Sequence, residues 1–128
     1  MDKQTKLTLD ELIRRKVQIQ EAKRKRKKAE VFIESLGGCI TLIEPEKAII
    51  KDIQNFDDVD EANRYAVYNC VIEPSLKNSA IQEAFGCSEP HDIVEKLFKF
   101  NEIAQLSQIL NNMLDMDKGV TVVKELKN

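Results

Sequence analysis

The sequence contains no tryptophan, only two tyrosines and five phenylalanines, and a single histidine. Its core must therefore be built mainly from leucine, isoleucine, valine and alanine, which suits small helical domains. A chain of 128 residues can bury enough surface to fold without a metal or a disulfide. Long apolar runs are also missing, so we expect no membrane span, no signal peptide and a cytoplasmic location.

Residue sets for metal binding and catalysis are missing as well. The cysteines Cys39, Cys70 and Cys87 are widely spaced and form no CxxC pair, and His91 is the only histidine. A structural zinc site needs about four grouped ligands, so we predict no metal and expect reduced, buried thiols. The chain also lacks a phosphate-binding glycine loop and any nucleophile–base set. We therefore predict no catalytic residues, no cofactor and no enzymatic activity.

Charge is distributed unevenly along the chain. Residues 1–28 contain 11 Lys or Arg against four Asp or Glu, whereas the other 100 residues contain nine against 18. This pattern predicts a basic N-terminal helix or arm over residues 1–29 and a compact acidic domain over residues 30–128. Six consecutive cations, Lys23–Lys28, fit either nucleic-acid phosphates or an acidic protein surface. We favour the protein surface, because no aromatic residue interleaves the run to stack on bases.

Apolar periodicity predicts a mainly α fold, a small bundle of five or six short helices. The first helix begins after Thr8, an N-cap with Glu11 as its capping-box partner, and has an apolar stripe that fades before the basic run. We expect this helix to protrude and to be solvated or held by a partner. Its stripe consists of Leu9, Leu12, Ile13 and Val17.

One short β-hairpin is predicted near residues 30–43, where two runs rich in β-branched residues flank Gly37-Gly38. The glycines would supply the positive φ angles of a two-residue turn. Further helices are expected over residues 45–53, 57–73, 79–85 and 90–98. Residues 120–123 fit either a terminal strand or one more helical turn.

The last predicted helix begins at an N-cap, Asn101, and ends at Lys118-Gly119. Its stripe fits core packing, which we favour, or an adaptable groove for a partner helix. The stripe consists of Ile103, Leu106, Ile109, Leu110, Met113 and Leu114.

Two motifs are more specific than this periodicity. The segments YNCVIEP at residues 68–74 and AFGCSEP at residues 84–90 resemble the XkdN-like family of phage tail assembly chaperones. The segments LDELIRRK at residues 9–16 and EIAQLS at residues 102–107 are also similar to that family. The resemblance spans about residues 8–128.

The resemblance implies a function and a set of partners. Such proteins occur in prophages and phage-tail-like particles, where they bind the tape measure protein, keep it soluble and assist tail tube polymerisation. They act in the cytoplasm of the bacterial host and are absent from the finished particle. The implied partners are the tape measure protein, the tail tube protein and a longer, frameshifted form of the chain, and a homo-oligomer is compatible with this role. No membrane partner is implied. The alternatives are a nucleic-acid-binding accessory protein and a permanent structural component of the tail.

The partner-binding residues that we predict combine the two apolar stripes with part of the basic run. They are Leu9, Leu12, Ile13, Val17, Lys23, Arg24, Arg26, Leu106, Ile109, Leu110, Met113 and Leu114.

Overall fold

The computed structural model describes residues 6–127, which group into two compact units. One unit comprises residues 26–115, and the other combines residues 6–25 with residues 116–127. Within the described residues there are seven α-helices and one three-stranded antiparallel sheet. Seven helices exceed the predicted five or six, and the third strand adds to the predicted hairpin, so the fold is mixed α/β and only roughly compatible with the predicted helical bundle. The domain boundary predicted at residue 29 stays a prediction.

The N-terminal helical segment is divided at Arg15 into α1 (Leu9–Arg14) and α2 (Lys16–Arg24). Thr8 is the N-cap of α1, as predicted, because its hydroxyl oxygen accepts the Glu11 N–H at 3.2 Å. The α2 helix ends before the basic run does, and the run continues in extended conformation into the first strand. The basic segment is therefore only partly helical.

The predicted hairpin is present as β1 (Lys28–Ile33) and β2 (Gly38–Ile43). Its turn has four residues rather than two, and Gly38 already belongs to β2. Of the glycine pair, only Gly37 has a positive φ, 65°. The Ile33 carbonyl accepts the Gly37 N–H at 2.9 Å, so the longer turn closes through a glycine in the left-handed region.

A third strand was missed by the sequence reasoning. After α3 (Lys47–Gln54), the helix α4 (Val59–Cys70) does not continue to Pro74 as predicted. The chain instead forms β3 (Val71–Glu73), which pairs antiparallel with β2 to give the order β1-β2-β3. The β-branched residues that open β3 fit an extended strand, but its partner lies about 30 residues earlier in the chain.

The C-terminal half of the larger unit contains α5 (Ser79–Ala84), a 3₁₀ turn (Pro90–Asp92) and α6 (Ile93–Leu97). Gly86 ends α5 as predicted, with a φ of 67°. The Cys87 N–H reaches back to the Gln82 carbonyl at 3.0 Å, a bond that satisfies an orphan carbonyl of the last turn.

The last helix, α7 (Phe100–Met113), starts one residue before the predicted cap, because Lys99 and not Asn101 is its N-cap. It also ends earlier than predicted. Asp115 adopts the left-handed conformation, with a φ of 49°, and this interrupts the helix before Lys118-Gly119. Residues 116–127 have no regular secondary structure.

One apolar core joins the sheet to α4, α6 and α7. Cys70 is fully buried there, and burial raises the pKa of its thiol to about 11, so the thiol stays protonated near neutral pH. Cys87 is half-buried. The expectation of a buried Cys39 is wrong, because side chains alternate along β2 and this alternation directs Ile40 into the core and Cys39 outward. The fully buried side chains include Leu42, Val67, Leu76, Ile93, Val94, Leu106 and Leu110.

The hairpin turn is attached to the start of α7 through Glu102. Its carboxylate accepts the Lys99 N–H at 2.8 Å and the Ser35 hydroxyl at 2.9 Å. These hydrogen bonds, chiefly the one from Lys99, hold the pKa of Glu102 below its ordinary value of 4.5.

The variant Glu102→Gln is expected to be less stable than the wild type at neutral pH. The hydrogen bonds to the ionised Glu102 carboxylate stabilise the folded state and lower its pKa there. This stabilisation is therefore present above pH 4.5 and is lost as the pH falls through the folded-state pKa of Glu102. Urea unfolding of both proteins at pH 7 and at about pH 3 measures the effect. A stability difference that stays constant down to the lower pH would contradict it.

Candidate functional site

An open groove, which we call the Phe100 groove, lies among α4, α6 and α7 and has a volume of about 300 Å³. Phe100 is 72% exposed at the first position of α7. It shares a helix face with Ala104, next to the face that carries the core residues of α7. The groove is thus an apolar surface that continues from the core. Its lining residues are Asp60, Asn63, Arg64, Glu95, Phe98, Phe100, Ile103 and Ala104.

Polar contacts position the walls of the Phe100 groove. The Ser107 hydroxyl donates to the side-chain oxygen of Asn63 at 2.8 Å and so connects α7 to α4. At the rim, the guanidinium of Arg64 lies 2.9 Å from the carboxylate of Glu95. Because Glu95 is largely exposed, this ion pair orients the rim more than it stabilises the fold. With Asp60 added, the charged side chains of the rim carry a net negative charge.

A second groove, which we call the tyrosine groove, shares Arg64 with the first and has a volume of about 230 Å³. The rings of Phe56 and Tyr65 lie 5.2 Å apart, and the Tyr65 hydroxyl donates to Asp52. This hydrogen bond is the main cause that raises the pKa of Tyr65, and it fixes the ring. The lining residues are Phe56, Glu61, Arg64, Tyr65, Tyr68, Asn69 and His91.

Together the two grooves present aromatic and aliphatic surface with a mostly acidic rim. Such a surface can receive an apolar side-chain row from a helix, with basic residues of that helix beside the carboxylates. Within residues 6–127, no cluster of three His, Cys, Asp or Glu side chains could hold a metal ion. No helix in the same part of the chain has the length and apolar character needed to cross a membrane.

The predicted partner-binding stripe of the first helix is exposed. None of the residues of α1 or α2 is buried, and Leu9, Ile13 and Val17 each expose more than 60% of their surface. Leu12 is exposed to a smaller extent. The four side chains are therefore available for a partner, although their role stays a prediction.

The predicted stripe of the last helix is placed differently. Leu106 and Leu110 are each only 1% exposed, because this face of α7 packs on the core. Ile109 and Met113 are half-buried against the same core, and Leu114 is also half-buried. Core packing, the alternative favoured above, accounts for Leu106 and Leu110. Leu106 and Ile109 also line part of a groove between β1 and α7, so a partner contact along this stripe stays a prediction.

The basic run is divided between the two units. Arg26 donates from its Nε to the Glu44 carbonyl at 2.9 Å, and its guanidinium lies 3.4 Å from the Glu46 carboxylate. Lys27 pairs with Asp115. Lys23 and Arg24 lie in the last turn of α2, where cations suit the helix dipole. Two of the six cations are therefore partly neutralised by nearby carboxylates, which weakens the case for a continuous phosphate-binding strip.

The comparison with known families identifies most of the larger unit, together with the C-terminal segment. A model of the family described as phage XkdN-like tail assembly chaperone protein matches residues 39–127, about two thirds of the chain. The chain belongs to this family. The resemblance carried by YNCVIEP and AFGCSEP is therefore confirmed. No curated protein and no solved structure matches the chain.

The extent of the match bears on where this tail assembly chaperone contacts its partners. The matched range begins in β2 and includes both grooves, but it does not include α1, α2 or β1. Similarity at residues 9–16 therefore stays a prediction. A family of assembly chaperones implies a role without catalysis, which agrees with the missing catalytic sets. Sequence reasoning missed Phe100 because the predicted helix began only after Asn101, whereas α7 begins at Phe100.

Proposed function

We propose that this chaperone binds the tape measure protein, keeps it soluble and assists tail tube polymerisation around it, and that it is absent from the finished particle. The observation that carries the proposal is the Phe100 groove, an open apolar surface inside the part of the chain that matches the family. We place this activity in the cytoplasm of the bacterial host, where a longer frameshifted form of the chain would be a further partner.

The chemistry of the groove suits a helix of the tape measure protein. Long apolar helical surfaces aggregate unless they are covered until the tube encloses them. A row of side chains at i, i+3, i+4 and i+7 fits a groove of this kind, and basic flanking residues of the helix would meet Asp60 and Glu95. Each contact is small, but many copies along one long helix bind with avidity.

The stripe on α1 and α2 supports a second contact with the same partner. Exposed apolar side chains at helical spacing are costly in water, and a partner helix would cover them. Lys23 and Arg24 extend this surface with positive charge, which suits an acidic segment of the partner. We propose the α1–α2 stripe as an auxiliary surface, because it lies outside the residues that match the family.

Co-expression tests the proposal. The tape measure protein encoded with this chaperone is expressed alone and together with the full chain, and its soluble fraction is measured after centrifugation. We expect the tape measure protein to be soluble only with the chaperone and to elute with it in size-exclusion chromatography. Equal insolubility in both cultures would contradict the proposal.

Mass spectrometry of purified particles separates a transient chaperone from a permanent structural component. A chaperone that leaves during assembly is expected to be absent from the particles while present in the lysate. Recovery in a stoichiometric amount with the tail tube protein would instead identify a structural component.

A further inference from the structure

The strand β1 forms one edge of the sheet and pairs only with β2 among the described strands. The Glu44 N–H donates to the Lys27 carbonyl at 2.8 Å, which marks this facing pair as hydrogen-bonded. Hydrogen-bonded and non-bonded pairs alternate along an antiparallel ladder. The N–H and C=O groups of Lys28, Glu30 and Phe32 therefore point away from β2, toward the free edge.

The side chains of β1 alternate between two faces. Ala29, Val31 and Ile33 are turned inward, whereas Lys28, Glu30 and Phe32 are exposed. Phe32 is 61% exposed. An edge with unpaired backbone groups and an exposed aromatic residue can accept another strand.

A second copy of the same strand matches this edge in one register. When two copies of β1 pair antiparallel about a two-fold axis, residues that face each other have their side chains on the same face of the sheet. The inward residues of β1 have odd numbers, so each must face another odd-numbered residue, and the two residue numbers of every facing pair then have an even sum. With Val31 on the axis, Glu30 faces Phe32 of the second copy, and Lys28 lies opposite its Glu34, the first residue of the hairpin turn directly after the strand. Opposite charges then face each other twice, once at each end of the paired segment.

The neighbouring registers with matching faces are less favourable. Placing Glu30 on the axis would set two identical carboxylates directly opposite each other, which is destabilising. Placing Ala29 or Phe32 on the axis would pair only three residues within the two strands, residues 28–30 or 31–33. The register with Val31 on the axis therefore combines the longest suitable overlap with charge complementarity.

Unfilled space beside β1 fits the same arrangement. A groove of about 240 Å³ lies between β1 and α7, lined by residues that include Val31, Gln105 and Ile109. A strand added at the edge would direct its own inward side chains toward this groove, since inward faces coincide in the register above.

We propose that two copies of this chaperone pair through β1, antiparallel and with Val31 on the two-fold axis, to form one continuous six-stranded sheet. The interface is self-complementary, as a two-fold dimer requires. It uses the free edge of β1 and neither groove of the candidate functional site, so dimerisation does not depend on tape measure binding.

Sedimentation equilibrium of the purified full chain gives the first test. We expect a concentration-dependent mass that rises to twice that of the monomer. Lys28→Glu and Glu34→Lys should each lower the dimer fraction by placing like charges opposite each other, and the double variant Lys28→Glu/Glu34→Lys should restore it. Both side chains are exposed, so these changes affect folding little.

Cysteine cross-linking tests the register, in a background with Cys39→Ser and Cys87→Ser. Across a non-hydrogen-bonded pair the Cα atoms lie about 4.5 Å apart, within the range of a disulfide. Val31→Cys should therefore give a covalent dimer on mild oxidation. The matched control Glu30→Cys should not, because its Cα atoms would be about 8 Å apart.

Each outcome decides for or against the proposed dimer. A dimer that responds to charge reversal, recovers in the double variant and cross-links at residue 31 supports it. A monomer at every concentration overturns it, and in that case the charges of β1 act to keep the edge unpaired. A dimer insensitive to both charge reversals, or one that cross-links through Ala29→Cys or Glu30→Cys instead, also overturns it. None of these readouts uses the tape measure protein, so failure here leaves the proposed function unaffected.

Discussion

The substitution Leu106→Ala is expected to lower the free energy of unfolding by about 3 kcal/mol, within the usual range of roughly 2–5 kcal/mol for such changes in a core. Leu106 is 1% exposed and packs in the core shared by the sheet, α4 and α7. Removing its terminal carbons loses buried apolar contact and leaves a cavity that the surrounding helices fill only in part. Urea unfolding followed by circular dichroism measures the change.

The same variant separates the two interpretations of the last apolar stripe. Phe100→Ala, on the same helix but exposed, is the matched control and is expected to change stability by about 0.5 kcal/mol or less. If Leu106→Ala instead unfolds like the wild type and fails to solubilise the tape measure protein, Leu106 is a contact residue and the core assignment is wrong.

The substitution Phe100→Ser is expected to abolish most of the solubilising effect on the tape measure protein while leaving the fold intact. Phe100 supplies the most exposed aromatic side chain at the groove, and truncating an aromatic anchor typically costs about 2 kcal/mol of binding energy, roughly a 30-fold loss of affinity. Because many chaperone copies bind along one long helix, the loss of affinity at each copy lowers the overall avidity for the tape measure protein by a larger factor. The soluble fraction on co-expression is the measurement.

Phe85→Ser is the matched control for this experiment, since Phe85 is an exposed phenylalanine outside both grooves. It should solubilise the tape measure protein as the wild type does. Equal activity of Phe100→Ser and Phe85→Ser would exclude the Phe100 groove as the binding surface. Testing the triple variant Leu9→Ser/Ile13→Ser/Val17→Ser beside them then shows whether the α1–α2 stripe carries the interaction instead.

Features that depend on nearby residues were predictable from the sequence. The Thr8 cap, the end of α5 at Gly86 and the existence of the hairpin each depend on groups within a few positions of one another. The motifs at residues 68–74 and 84–90 were sufficient for the family. Composition alone indicated a core built mainly from aliphatic side chains.

Features that depend on distant residues were not predictable. The strand β3 exists because β2 offers a second edge, so a segment that continues a helical pattern becomes extended. Likewise the sequence favours core packing for the last stripe but leaves a groove open, and the burial of Leu106 and Leu110 depends on the sheet and α4, which lie far away in the chain.

The sequence by itself determined the helices, the hairpin, the uneven charge and the membership in a chaperone family. Only the tertiary structure decided which apolar residues are buried, that Arg26 and Lys27 are paired with carboxylates, and that Phe100 is left exposed beside a groove. The physical reason is that helix caps and turns are satisfied by local hydrogen bonds. Burial instead depends on surfaces that meet only after residues far apart in the chain have packed together.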